Sequence, residues 1–227
     1  MFGINYFKPE HNRKRVSVTS APTSEPISID DVKLAAKIDG SAEDALVLRI
    51  AKASREYVEK CLNRALITQT LKLSLDAFPT NVNGSMNFDE RNLGPAPATI
   101  TQTPAIDLPM GPIQSISSVK YWDSTNTQQT FDSANYYLDA AGSRICLVNG
   151  ASWPADLRPR AGVEISYVAG YGNASAVPNA IQEAILQLAV MTYEERGCGC
   201  ETPVDMPRQI EAMLTPYRQL RRFGLGE

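Results

Sequence analysis

Val47-Leu-Arg-Ile-Ala-Lys-Ala-Ser-Arg-Glu-Tyr-Val-Glu-Lys-Cys-Leu-Asn-Arg-Ala-Leu-Ile-Thr-Gln-Thr-Leu-Lys-Leu-Ser-Leu75 changes its apolar spacing partway along. In the first part Val47, Ile50, Ala51, Ser54, Val58, Cys61 and Leu62 recur at three-four intervals, one stripe of a helix. Arg49, Lys52, Arg55, Glu56, Glu59 and Lys60 take the remaining directions, which predicts a solvent face. In the second part Leu71, Leu73 and Leu75 alternate with Lys72 and Ser74, the period of a half-buried strand. The chain therefore passes from helix to sheet near residue 65, and the fold class turns on what lies to either side.

Upstream, Ser28-Ile-Asp-Asp31 fits a capping box, with Ile29, Val32, Leu34 and Ala36 predicted on the buried side of a short helix that stops at Asp39-Gly40. Ser41-Ala-Glu-Asp44 repeats the cap pattern and places acids at the positive end of the next helix. Before Ser28 the chain is rich in Ser, Thr, Pro and charge, and residues 1–27 read as an extended arm. Its Arg13-Lys14-Arg15 triplet is too short to specify nucleic-acid binding.

Downstream, short strands are predicted at Ala105–Leu108, Ile113–Trp122, Gln128–Phe131, Tyr136–Leu138, Arg144–Leu147 and Val163–Val168. Asp123–Asn126 and Ala140–Ser143 supply hairpin turns. Asn81–Pro97 has little periodicity and reads as a long exposed loop. Helix returns after Gly170-Tyr-Gly172: Ile181, Ala184, Ile185, Leu188, Ala189 and Thr192 form one stripe, ending near Arg196-Gly197. A last helical piece over Pro207–Leu214 carries Ile210, Met213 and Leu214 on one side, and Pro216 breaks it. The predicted class is α+β: a small bundle of two N-terminal and two C-terminal helices (28–65 and 173–215), an inserted antiparallel β-unit (66–172), and a C-terminal tail (216–227).

The chain has 227 residues, 43% of them hydrophobic, and a formal net charge of -3, with 22 basic against 25 acidic residues. That balance disfavours a chain that grips nucleic acid by neutralising phosphates. No apolar run approaches the roughly 18 residues of a membrane span, and Met1–Arg15 lacks the apolar centre of a secretory leader. The expectation is a soluble, non-secreted protein.

A search for chemistry is mostly negative. The single histidine, His11, lies in the arm, so nucleophile–histidine systems lack support. Cys61, Cys146, Cys198 and Cys200 have no paired-knuckle spacing, and reduced, incidental thiols are expected. No phosphate-cradling glycine motif is present; Gly170-Tyr-Gly172 reads as a strand-to-helix connection. The adjacent acids Asp30-Asp31, Glu43-Asp44, Asp89-Glu90 and Glu194-Glu195 point apart on a helix instead of converging. Tyr121-Trp122, Tyr136-Tyr137 and Trp153-Pro154 are expected to pack within the β-unit, with ring stacking on sugars or bases as the competing use. No catalytic, cofactor or metal residue is assigned, and the chain is expected not to be an enzyme.

The order of these pieces resembles a known family. Ile27-Ser-Ile-Asp-Asp-Val-Lys-Leu-Ala-Ala-Lys-Ile-Asp39, Glu43-Asp44, Tyr57-Val-Glu59 with Asn63-Arg-Ala-Leu66, and Thr68-Gln-Thr70 come first. Leu108-Pro-Met-Gly-Pro-Ile113, Val163-Glu-Ile-Ser-Tyr-Val-Ala-Gly-Tyr-Gly172, Val177-Pro178, Tyr193-Glu-Glu-Arg196 and Leu214-Thr-Pro-Tyr-Arg218 follow. Together, across about Ser28–Arg218, they resemble the head–tail connector (adaptor or neck) proteins of long-tailed bacteriophages. The arm is longer than that pattern, and Cys198-Gly-Cys200 departs from it.

The resemblance implies a homo-oligomeric ring, commonly a dodecamer, between the portal and a tail-side stopper or tail terminator, in the virion neck after assembly in the host bacterial cytoplasm. DNA passes along the axis, and twelve copies of an acidic chain would repel its phosphates. The resemblance also implies portal docking by the C-terminal segment: Pro216, Tyr217, Arg218, Leu220, Arg221, Arg222 and Phe223, whose aromatic and arginine content suits an interface anchor. A stopper or tail-terminator role is the neighbouring alternative, and a carbohydrate-binding or hydrolytic module the remote one.

Overall fold

The computed structural model describes residues 14–79, 105–197 and 206–218. His11, the loop Asn81–Pro97, Cys198-Gly-Cys200 and the tail beyond Arg218 lie outside the described residues. Within them the chain is α+β, with four α-helices and antiparallel strand pairs, as the sequence predicts.

The helices are α1 (Ile29–Ala36), α2 (Asp44–Leu62), α3 (Asn179–Glu194) and α4 (Arg208–Leu214). Helix α2 packs on α3, α1 lies against both, and α4 lies against α3. One cluster joins Val47, Ile50, Ala51, Val58 and Leu62 of α2 to Ile181, Ala184, Ile185, Leu188 and Ala189 of α3, with Val32, Ile210 and Leu214. Each large aliphatic side chain buried there contributes roughly 1.5–3 kcal/mol, so the shared stripes hold the bundle together.

Helix starts and stops follow local chemistry, with three departures from expectation. The Ser28 cap forms as a full box: its hydroxyl accepts the Asp31 amide at 3.0 Å and Asp31 accepts the Ser28 amide at 3.0 Å. Helix α1 then stops before Asp39-Gly40, because Lys37 turns left-handed (φ 54°) and returns its amide to the Lys33 carbonyl. Of the predicted buried side, Val32 is buried but Leu34 is 82% exposed. The second cap does not form: α2 begins at Asp44, past Ser41, and Glu43 at its N-cap makes no side-chain capping bond, its carboxylate accepting the Tyr193 hydroxyl of α3.

Among the described residues, seven strands after α1 and one before it make the β-structure. Strand β1 is Arg15–Ser20, inside the segment expected to be an extended arm; its Val-Ser-Val-Thr alternation supplies a strand that the charge around it obscured. The others are β2 (Gln69–Leu75), β3 (Ile106–Asp107), β4 (Ile113–Trp122), β5 (Gln128–Phe131), β6 (Tyr136–Asp139), β7 (Arg144–Leu147) and β8 (Val163–Ala169). A five-stranded sheet runs in the order β1-β2-β8-β4-β5, and a three-stranded one β3-β7-β6. Pairing sets Val119 opposite Phe131 and Trp122 opposite Gln128 across β4–β5, and Asp139 opposite Arg144 across β6–β7. In β2 and β8 every second residue is buried, the period-two pattern of a one-sided core.

Two compact units emerge from the contacts: residues 1–17, 72–108 and 116–166 in one, and 18–71, 109–115 and 167–227 in the other. The first has an aromatic interior. Trp153 stacks on Phe78 at 4.7 Å, Phe131 leans on Trp153 at 5.1 Å, and Tyr136 stacks on Phe131 at 5.9 Å. The second holds the four helices.

Candidate functional site

Of the residues predicted to dock a partner, Pro216, Tyr217 and Arg218 are described; Leu220, Arg221, Arg222 and Phe223 lie outside the described residues. After α4 the chain tightens into a 3-10 turn over Thr215–Tyr217, with Pro216 in its first positions, where a missing amide costs little. Thr215 donates its hydroxyl back to the Glu211 carbonyl at 2.8 Å. Pro216 thus ends the helix by tightening it.

The root of the C-terminal segment is tied to the end of α2 by two guanidinium bonds running in opposite directions. Arg64 Nε donates to the Tyr217 carbonyl at 2.6 Å, and its Nη1 lies 3.5 Å from the Tyr171 hydroxyl. Arg218 Nε donates to the Cys61 carbonyl at 3.2 Å. Cys61 belongs to the last turn of α2, where carbonyls lack intrahelical donors and the helix dipole is negative, so a cation there is favoured twice over. Arg64 is placed by Asn63, which takes the left-handed conformation (φ 54°) that closes α2. Beside this root lies a groove of about 370 Å³, lined by Tyr57, Cys61 and Leu62 from α2 and Met206, Arg208, Glu211, Leu214, Thr215 and Arg218. Sequence reading named the tail but missed Arg64, whose role needs a carbonyl 153 residues away.

A second polar constellation was misplaced by the sequence. Arg55 and Glu59, expected on the solvent face of α2, are buried, at 5% exposure each. Arg55 Nε binds Glu25 Oε2 at 2.7 Å, and Arg55 Nη1 binds Glu59 Oε2 at 2.7 Å. Glu59 Oε1 accepts the Leu66 amide at 2.9 Å and the Gln69 side-chain amide at 3.0 Å. Burial pushes the Glu59 carboxyl up, while the Leu66 amide and Arg55 oppose that rise. The network fastens the segment before α1 to α2, and α2 to the start of β2. Its i,i+4 spacing was visible; its buried partners were not.

At the other end of α2, the Tyr193 hydroxyl donates to Glu43, and Arg196 binds the same carboxylate at 3.2 Å while stacking 3.7 Å above the Tyr193 ring. This lock joins the start of α2 to the end of α3.

Of the aromatic pairs, Tyr121, Tyr136 and Trp153 pack against Phe78 and Phe131, whereas Tyr137 is exposed. Trp153 is part of the stacked interior, and the Arg158 guanidinium covers Trp122 at 4.2 Å while binding the Ala161 carbonyl at 2.6 Å. Both indoles, though half-buried, thus have ring surface engaged within the protein. Among the described residues no group of three His, Cys, Asp or Glu is placed to hold a metal ion, and no helix is long and apolar enough to cross a membrane.

No family model and no curated protein matches the chain. Solved structures do. A chain in the neck of an empty gene transfer agent particle, computed with C6 symmetry, matches with a TM-score of 0.69 at 23% identity, over 92% of this chain and 98% of that one. A chain of the virion of the native particle matches at 0.68 and 22%, over 92% and 97%. A chain from the neck of the native particle, computed with C12 symmetry, matches at 0.61 and 21%, over 92% and 98%. At these identities the likeness establishes a shared fold.

Proposed function

We propose that this chain is a structural component of the neck of a phage-like particle, an adaptor that forms a ring between portal and tail and leaves an axial path for DNA. The observation that carries the reading is the match of nearly the whole chain, helices and strands alike, to chains in gene transfer agent necks and virions. The sequence resemblance to phage connectors points the same way from separate residues. A dodecamer fits the C12 symmetry of one such neck.

In this reading the bundle is a preformed body and the C-terminal segment is the docking element. The Arg64 and Arg218 bonds fix where that segment leaves the body, so that the residues beyond Arg218 begin their path to the portal from a defined point. Leu220 and Phe223 bury apolar area there, while Arg221 and Arg222 pair with portal acids. The cut that tests this falls after Arg218, since Tyr217 packs on the bundle core. A chain ending at Arg218 keeps its melting temperature and loses co-assembly with portal rings, as read by native mass measurement of the mixture. Undiminished portal binding by the shortened chain would refute the docking assignment. Binding of the full chain to tail tube in preference to portal would replace the adaptor by a stopper or tail terminator.

A further inference from the structure

The five-stranded sheet ends on two unlike edges, and among the described residues neither carries the usual protection. Strand β1 is exposed at all six positions, and β5 at Gln128, Gln129 and Thr130. Exposed edges are normally blunted by proline, lysine or inward charge, because their unpaired amides and carbonyls recruit other strands. Here Val16-Ser-Val-Thr-Ser20 and Gln128-Gln-Thr-Phe131 contain none of these. The one charge of β1, Arg15, is engaged by Asp76 at 3.1 Å. The smaller sheet differs: its edge β3 has only two residues, and its edge β6 ends on the charged Asp139.

We propose that neighbouring copies join through these edges, β5 of one copy adding to β1 of the next, so that the sheet continues from subunit to subunit. The inference rests on the ring reading above and says which surfaces close the ring. Pairing like edges, β1 with β1, is isologous and stops at two copies. Pairing unlike edges repeats the same contact in one rotational sense, which is what a cyclic assembly requires and what the C6 and C12 symmetries of the matching necks involve. Apart from Arg15, which Asp76 engages, both partners are uncharged, β-branched or amide-rich, and main-chain bonds carry the affinity, as in strand addition generally.

Disulfide trapping tests it in particles assembled with the full chain, its four native cysteines changed to serine. Val16→Cys is combined in turn with Gln128→Cys, Gln129→Cys and Thr130→Cys. Within one copy the two edges are four strand spacings apart, roughly 19 Å, far beyond disulfide reach, so any cross-link is between copies. The expected result is a ladder of linked multimers from at least one double variant and none from the single variants. Dimers from Val16→Cys alone, or no ladder from any pair although the chain sits in the particle neck, would overturn the inference and leave the neck role standing. A chain that enters no neck would overturn both. Hydrogen exchange on the unaltered chain reads the same contact without cysteines: amides of Arg15–Ser20 and Gln128–Phe131 slow by at least about ten-fold on assembly. Unchanged exchange at both edges would refute the joint.

Discussion

The Arg55 guanidinium lies 2.7 Å from Glu59 on the buried side of α2, one turn away, and turns a charge pair inward where the helical pattern alone points it out. The pair is tolerable because every strong group in it is used. Arg55 also holds Glu25, and the free oxygen of Glu59 takes the Leu66 amide and Gln69.

Removing the cation leaves two acids without their shared counter-charge. Arg55→Ala strands Glu25 and Glu59, and the expected loss is about 3–5 kcal/mol of stability, read by urea unfolding. Replacing the cation by Met, similar in length and apolar, should not rescue it while both acids remain. A loss below about 1 kcal/mol would mean that the network is a surface pair in solution.

Glu59 also sets a pH dependence with an unusual sign. Its folded carboxyl is raised above the ordinary 4.5, chiefly by burial, so the folded state holds that proton more tightly than the unfolded state does. Its contribution is therefore fully present below the unfolded value and is lost as pH rises through the folded one. Asp31 runs the other way: Ser28 holds it below 3.8, so its small contribution is present above that value and lost on acidification. Subtracting the stability of Glu59→Gln from that of the native chain cancels Asp31 and every group not coupled to Glu59. The difference should shrink from pH 4 to pH 7; growth over that interval would contradict the direction.

These two residues also mark how far the sequence was legible. The α2 stripe, the Leu71–Leu75 alternation and the Ser28 box are local signals, and helix and strand formed where each predicted. Spacing cannot say whether Arg55 meets water or Glu25, because Glu25 is 30 residues away and arrives only with the fold. The second cap was misread for a related reason: Ser41 has the spacing of a cap, yet α2 begins at Asp44, and Glu43 before it gives its carboxylate to Tyr193 and Arg196. At the candidate site the tail was visible as an aromatic and basic run. Its anchor was not, since Arg64 reaches a main-chain carbonyl that no side-chain pattern encodes.

That anchor gives a test separating position from charge. Arg64→Ala removes the donor to the Tyr217 carbonyl, and a lost charged hydrogen bond of this kind costs about 1.5–3 kcal/mol. Because the bond acts at one end of the chain, much of the cost should appear locally. The expected outcome is faster proteolysis after Arg218 and weaker portal co-assembly, with the melting temperature falling less than for Arg55→Ala. Arg64→Lys keeps the charge but not the planar guanidinium, so it should recover only part of the protection. Equal proteolysis rates for native and Arg64→Ala chains would show that the root is held by packing alone.

Gly170 offers the sharpest single-atom prediction. Its φ of 127° lies where only glycine is at ease, and a Cβ placed on it would stand 2.5 Å from the Ile67 carbonyl oxygen and 2.7 Å from the Thr68 amide nitrogen. The obstacle is backbone on both counts, so no side-chain rotation relieves it. The surroundings are fixed as well: the Gly170 amide donates to the Pro112 carbonyl at 2.9 Å, and its own carbonyl accepts the Gln114 side chain at 2.8 Å. Gly170→Ala must therefore push Ile67 and Thr68 away from the end of β8, and the expected cost exceeds about 2 kcal/mol, more than strain in φ alone. Gly150→Ala is the control, since it has a positive φ of 86° but nothing within 4 Å of an added Cβ. It should cost only about 1–2 kcal/mol, the strain by itself. Comparable urea midpoints for the two variants would mean that the close approach at Gly170 relaxes freely, and the clash argument would fail.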